Sequence, residues 1–312
     1  MICRRHYLEG ATKSQIAGEF GLSRFKVMRI LDEARANGMV RIEVVGPHGT
    51  DLELSAQLRR AFGLHHAVVV STTPADTDVE RRRVLGVAAA GLITELVDEN
   101  DVLGIGWGRT LDAMVLELRS LPPCAVVQMA GIVGPLTETA VELVRRVSSV
   151  SGGPAHPLYA PLMVSDVAAA KIIRSQSQVR SVIDRFKDIT VAVLAIGSWR
   201  PPQSQLRNWI APSERAYLTR LGVQAEICST MLDFQGREIA TDFAARSVSI
   251  SAAQIRAIPE TVAVAGGADK AEAIRAVIRG GFLTSLVTDT EAATRLLAAS
   301  PPTASGGAGP EP

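Results

Sequence analysis

From residue 51 onward the chain alternates short apolar runs with longer amphipathic stretches, and few architectures accommodate that pattern. His66-Ala-Val-Val-Val70 and Thr190-Val-Ala-Val-Leu-Ala-Ile196 are nearly continuous in apolar residues. They lack the alternation of a half-exposed strand, so both faces must be covered. Similar runs occupy 101–105, 125–129, 262–265 and 283–287, and 158–160 reads as extended. Helical patterns fall between them, over 51–62, 78–97, 109–118, 138–150, 166–186, 269–279 and 289–298. The alternation predicts an α/β fold, a Rossmann-like, open and mostly parallel sheet with helices on its faces. Residues 231–239 read as a hairpin with Gln235-Gly236 at its tip. Ligands of such sheets sit beyond the carboxyl ends of the strands, which directs attention to the loops after Ile105, Met129, Ile196 and Ala265.

The first 50 residues follow a different rule. Thr12-Lys-Ser-Gln-Ile-Ala-Gly-Glu-Phe-Gly-Leu-Ser-Arg-Phe-Lys-Val-Met-Arg-Ile-Leu31 reads as two short helices around a tight turn. Thr12 and Gln15 have the spacing of a capping box, and Ser23 suits the N-cap of the second helix. Ile16, Ala17 and Phe20 give the first helix an apolar face, and Val27, Ile30 and Leu31 give one to the second. Gly21 supplies the turn. This is the internal pattern of a helix-turn-helix, although an ordinary helical hairpin shares it. Ser23, Arg24, Phe25, Lys26, Met28 and Arg29 fall on the outward face of the second helix, the candidate DNA-binding surface. Arginine there reads guanine bidentately, and Lys or Ser holds phosphates. Asn37-Gly38 is a helix stop. A wing-like strand is expected over 39–45 and a linker over 46–50. The resulting domains are 1–50 for the DNA-binding head, 51–299 for an effector domain and 300–312 for a disordered tail rich in Pro, Gly, Ala and Ser.

Charge supports this division. Residues 1–45 hold eight Lys or Arg against five Asp or Glu, whereas the remainder holds 25 against 27. A basic head on a near-neutral body suits a DNA reader joined to a sensor. Cys3, Cys124 and Cys228 are isolated and odd in number, and suggest neither a disulfide framework nor a zinc site. No signal-peptide pattern and no apolar run long enough for a membrane span is present, so a cytoplasmic protein is expected.

Two loops carry the chemistry. Gly104-Ile-Gly-Trp-Gly-Arg-Thr110 ends a strand and opens a helix, where close backbone approach and the helix dipole favour an anion. It is neither a Walker loop nor a dinucleotide fingerprint, and read alone it serves equally as a tight packing turn. Ala265-Gly-Gly-Ala-Asp-Lys270 is the second, with the Lys270 cation near a helix start, where the dipole disfavours it unless an anion is nearby. Gln128 and Gly197-Ser-Trp199 could add polar contacts, while Trp199 and Trp209 could stack on a sugar or serve as core or lid. The five histidines, His6, His48, His65, His66 and His156, form no metal-ligand pattern, and no nucleophile elbow appears. No catalytic residue, metal or cofactor is expected.

These segments resemble the SorC family of bacterial sugar-responsive transcriptional regulators. The likeness runs from Tyr7-Leu-Glu-Gly10 through Gly38-Met-Val-Arg-Ile42, 104–110, Ala195-Ile-Gly-Ser198 and 221–228 to Leu232-Asp-Phe-Gln-Gly236. Its most specific stretch is Val264-Ala-Gly-Gly-Ala-Asp-Lys-Ala-Glu-Ala-Ile-Arg-Ala-Val-Ile-Arg-Gly-Gly281, followed by Leu286-Val-Thr-Asp289. The resemblance implies a helix-turn-helix head and a domain like the sugar-phosphate isomerases, used for sensing. It implies operator DNA and a phosphorylated sugar or polyol as partners, and a homodimer or homotetramer. By motif, Gly106, Trp107, Gly108, Arg109 and Thr110 would cradle a phosphate, with Gly266, Gly267 and Lys270 at an opposite anionic end. Gln128, Gly197 and Asp233 would be neighbours. Two departures stand out. Family members carry a longer helix before Tyr7, so either the chain starts upstream of Met1 or its head is short and its DNA affinity reduced. Trp107 and Arg109 replace smaller residues, which implies a different ligand. The resulting expectation is a regulator of a carbohydrate operon; the alternative is a sugar-phosphate isomerase or deaminase with an accessory head.

Overall fold

A computed structural model describes residues 1–40, 49–73, 75–133 and 140–298. The chain divides into two compact units, Met1–Val45 and Gly46–Pro312. The expected wing strand beyond residue 40, most of the linker and the tail lie outside the described residues.

The head contains three helices, α1 (Ile2–Tyr7), α2 (Lys13–Phe20) and α3 (Arg24–Ala36). Thr12 and Gln15 form the reciprocal capping box, and Gly21 ends α2 at φ 62°. The Ser23 hydroxyl accepts from the Lys26 amide at the start of α3. Ile16, Val27 and Leu31 form the buried centre, and α1 adds Ile2, Cys3 and Tyr7 around it. Short as it is, α1 is tied down twice. The Arg5 guanidinium donates to Glu19 of α2 at 2.8 Å, and Arg35 of α3 donates to the Tyr7 hydroxyl at 2.8 Å.

The body is built on strands β1 (His66–Val70), β2 (Val102–Ile105), β3 (Ala125–Gln128), β4 (Ala155–His156), β5 (Val191–Ala195), β6 (Gly197–Ser198), β7 (Ala225–Ile227), β8 (Thr230–Leu232), β9 (Glu260–Val264) and β10 (Ser285–Asp289). Seven of them form one sheet in the order β1-β10-β9-β5-β2-β3-β4. Every neighbouring pair in it is parallel. Strand periodicity sends Val191 and Val193 of β5 to one face and Ala192 and Leu194 to the other. Each face joins its own apolar cluster, which is why these strands are apolar throughout. Full burial of each Val, Leu or Ile contributes roughly 1.5–3 kcal/mol.

Three features depart from the expected pattern. The extension expected over 158–160 is replaced by the two-residue edge strand β4, too short to show a period. The helix expected over 166–186 breaks at Gln176, whose extended backbone (ψ 133°) separates Val167–Ser175 from Ser177–Ile183, and a 3-10 turn follows over Asp184–Asp188. Finally, β6, β7 and β8 make a small antiparallel sheet. Cys228 and Ser229 form its two-residue turn at φ 45° and 66°, left-handed values that side-chain-bearing residues rarely take. The hairpin expected over 231–239 is present: Leu232 bridges Glu238 antiparallel, and the Ile239 and Asp233 amides donate to the Met231 and Arg237 carbonyls around the Gln235-Gly236 tip.

Candidate functional site

The chain runs from β2 to β3 and β4 on one side, then returns to place β5 on the other side of β2. Such a reversal leaves a crevice at the carboxyl ends of the two strands. A polar cleft opens there. Its floor comes from Trp107, Gly108, Arg109 and Thr110 after β2 and from Ala195, Ile196 and Gly197 at the end of β5. Gly266 and Lys270, after β9, close one side, and Asp78, Arg81, Arg82 and Leu85 close another. Gln203, Gln205, Glu226 and Cys228 complete the wall.

The turn after β2 needs glycine. Gly108 sits at φ 142°, and a Cβ there would lie 2.7 Å from the Ala195 Cβ. It starts the helix Arg109–Glu117, which no side chain caps, so its positive dipole end faces the cleft. Arg109 is exposed and Arg82 half-buried, and neither has a hydrogen-bond or ion-pair partner among the described residues. Burial and the neighbouring Arg109 push the Arg82 guanidinium below its usual range.

Lys270 is enclosed and donates from Nζ to the Ile196 carbonyl at 3.0 Å. Burial first, then Arg109, depresses its pKa to about 8, with Glu226 acting in the opposite sense. Glu226 lies across from Gly197 on the β6–β7 pairing and accepts from the Ser204 hydroxyl at 3.0 Å. Burial raises its pKa to about 7, against the pull of Ser204 and Lys270. Arg81 differs from its neighbour. It pairs with Asp78 at 3.1 Å, Asp289 at 3.0 Å and Glu291 at 3.0 Å. The buried Asp289 also accepts from the Gly267 and Ala292 amides, fastening the glycine turn to the end of β10.

Arg82, Arg109 and Lys270 thus gather at an open helix start, an arrangement chemically able to hold an anion with polar contacts beyond it. Among the described residues no cluster of His, Cys, Asp or Glu could hold a metal ion, and no helix is long and apolar enough to cross a membrane.

Residues 47–298 match the Sugar-bind family of sugar-binding domains. The transcriptional regulator LsrR of Escherichia coli is 30% identical over 300 residues, covering 94% of this chain and 92% of LsrR. The chain belongs to the SorC family. The transcriptional regulator YjhU of Escherichia coli is 28% identical over 303 residues, with 94% of this chain and 92% of YjhU covered. The full-length sorbitol operon regulator SorC of Klebsiella pneumoniae shares the fold, at TM-score 0.73 and 24% identity, over 95% of this chain and 97% of that one. This SorC-family chain is therefore a sugar-responsive, DNA-binding transcriptional regulator, and the enzyme alternative is not favoured.

The SorC-family cleft gathers Trp107, Gly108, Arg109, Thr110, Gly197, Gly266 and Lys270 from the sequence-derived set. Gly106 lies just beneath, packed against Leu194, and Gly267 faces the Arg81 side chain. Gln128 and Asp233 do not line the cleft. The Gln128 amide is used internally, donating to the Ala130 carbonyl and accepting from the Leu158 amide. Asp233 closes its own turn, accepting from the Gln235 and Arg237 amides. Nor do the two tryptophans stack there: Trp199 is fully buried and donates to the Thr219 hydroxyl, while Trp209 borders a different groove. Arg82, Gln203, Gln205 and Glu226 are new. In the head, Ser23, Arg24, Phe25, Lys26, Met28 and Arg29 all lie exposed along one end of α3.

Proposed function

We propose that the cleft binds a phosphorylated sugar or polyol and that the bound effector alters the affinity of a homodimer or homotetramer for operator DNA in the cytoplasm. The observation that carries this reading is the convergence of Arg82, Arg109 and Lys270 at the open start of the helix Arg109–Glu117. Burial first, and then repulsion from the neighbouring arginine, lowers the pKa of both Lys270 and Arg82. A phosphate placed among them relieves that repulsion and gains charge-assisted hydrogen bonds. Thr110 and the backbone after Gly108 complete its seat, and Lys270 reaches the sugar side.

On the DNA side, Arg24, Lys26 and Arg29 meet base edges and phosphates, with Ser23, Phe25 and Met28 at the rim of the same face. Effector binding shifts the population between subunit arrangements, hence the spacing of paired recognition helices. The test is operator binding by fluorescence anisotropy against a panel of sugar and polyol phosphates. An effector that changes operator affinity in the wild type and loses that effect in Arg109→Ala supports the reading. A panel without effect, together with unchanged operator affinity in Arg24→Ala, overturns it.

A further inference from the structure

Resting on the reading of α3 as the recognition helix, we infer that Phe25 reads the C5-methyl group of a thymine in the major groove of the operator, with Met28 widening the same apolar contact.

The head folds without either side chain. Its apolar cluster is built from Ile16, Val27 and Leu31, with Tyr7 and Phe20 among the residues packed around them, and contains neither Phe25 nor Met28. Phe25 is 80% exposed and Met28 40%. Helical periodicity explains why: Val27, Leu31 and Ala34 turn inward, so Phe25 and Arg29 turn away from the core. Met28 follows Phe25 at i,i+3 and Arg29 follows it at i,i+4, which sets the three side chains side by side. Two large apolar groups held in water contribute nothing to the stability of the head, and a partner is what buries them.

The surrounding charge says which partner. Arg24 and Lys26 flank Phe25 in the first turn of α3, which holds no acidic residue. Cations at a helix start oppose the dipole, and a nearby anion removes that cost. Neither side chain has a hydrogen-bond or ion-pair partner among the described residues. Arg29 has one long tie, to Glu33 at 3.7 Å, with both side chains largely exposed. An apolar patch on a basic surface matches a polyanion that carries apolar spots of its own. In duplex DNA the phosphates supply the charge, and the thymine methyl is the apolar group that base edges present in the major groove. Phe25 is the second residue of α3, and the N-terminal end of a recognition helix is the part that reaches base edges. Cytosine is disfavoured there, because its N4 amine would lose water against a ring that cannot accept from it.

The probe is the best duplex enriched by the full chain from a random-sequence library. Each thymine in it is replaced singly by deoxyuridine, which removes the methyl and keeps the pairing, and affinity is read by fluorescence anisotropy. At one or more thymines the replacement is expected to weaken wild-type binding by roughly fourfold, the worth of one buried methyl group. Phe25→Ala should weaken binding to the thymine duplex and abolish the difference between thymine and deoxyuridine at that position. Phe25→Leu, which stays apolar, should retain part of it, and Lys26→Ala should weaken both duplexes alike. Circular dichroism checks that each variant is folded. Methyl sensitivity that is absent, or that survives Phe25→Ala, overturns this inference; loss of affinity in Arg24→Ala on the same duplex then leaves α3 standing as the recognition helix. A change of oligomeric state in Phe25→Ala by sedimentation, with thymine preference intact, also overturns it, because the apolar patch then covers protein. No enriched duplex, with DNA affinity unchanged in Arg24→Ala and Arg29→Ala, overturns both this inference and the reading beneath it.

Discussion

Glu226 stands opposite Gly197 across the β6–β7 pairing, and a Cβ at Gly197 would fall 2.2 Å from the Glu226 carboxyl oxygen. The cleft wall thus depends on a missing side chain. Gly197→Ala forces a fully enclosed carboxyl to move, and overpacking of this kind typically costs about 1–3 kcal/mol. The expected outcome is a lower urea midpoint together with weaker effector binding, whereas Ala at the open position Gly91 should do neither.

Asp289 is expected to be the most costly side chain to remove near the cleft. Asp289→Ala leaves Arg81 without its buried partner and strands the amides of Gly267 and Ala292. Breaking a buried pair on one side costs roughly 3–5 kcal/mol. Chemical denaturation measures the loss, and a change below about 1 kcal/mol contradicts the role assigned to Asp289.

The pH dependence of stability has a defined sign. Glu226 titrates near pH 7 when folded, against an ordinary value of 4.5. Between those values the folded chain holds a proton that the unfolded chain has lost, so this contribution is complete below pH 4.5 and is lost as pH rises through 7. Lys270, depressed to about 8 from 10.5, acts in a separate window, where stability rises with pH. The difference between wild type and Glu226→Gln, followed by denaturation from pH 4 to 8, should therefore slope downward with pH. A flat difference contradicts the buried, proton-holding carboxyl.

At the other end of the chain, Ser23→Ala removes the hydroxyl that caps α3, a change worth about 1 kcal/mol. Arg24→Ala and Arg29→Ala should reduce operator affinity at least tenfold, with a shallower salt dependence if either contacts phosphate. Anisotropy titrations at several salt concentrations separate the two contributions.

Sequence periodicity was enough to read the main sheet and the head. Long apolar runs such as 190–196 are buried on both faces, and Thr12, Gly21 and Ser23 punctuate helices with residues whose chemistry is local. The cleft was half legible for a related reason: Gly108 and Lys270 follow strands, and strand ends mark the site. What stayed hidden depends on tertiary direction. Arg81 and Arg82 are consecutive and both line the cleft, yet Arg81 is spent on Asp78, Asp289 and Glu291 while Arg82 has no such ion pair among the described residues, a distinction set by which carboxylates the fold brings beside each. Glu226 did leave a trace, a single charge within Ala225-Glu-Ile-Cys228, but its three-residue strand is too short to show a period. Gln128 misled in the opposite way. It ends a strand as a ligand group would, and its amide is consumed by the backbone beside it.

The parallel pairing of β1 with β10 binds the start of the body to its end, His66 beside Ser285. Contacts of such sequence separation form late, because loop closure is unfavourable until the intervening strands are in place. Arg82, Arg109, Glu226 and Lys270 come from widely spaced parts of that same chain, so no fragment assembles the receptor early. On the proposed reading of the cleft, effector recognition belongs to the finished sheet: a partly unfolded chain is expected not to bind the effector, and destabilising substitutions far from the cleft are expected to register as a failure to sense.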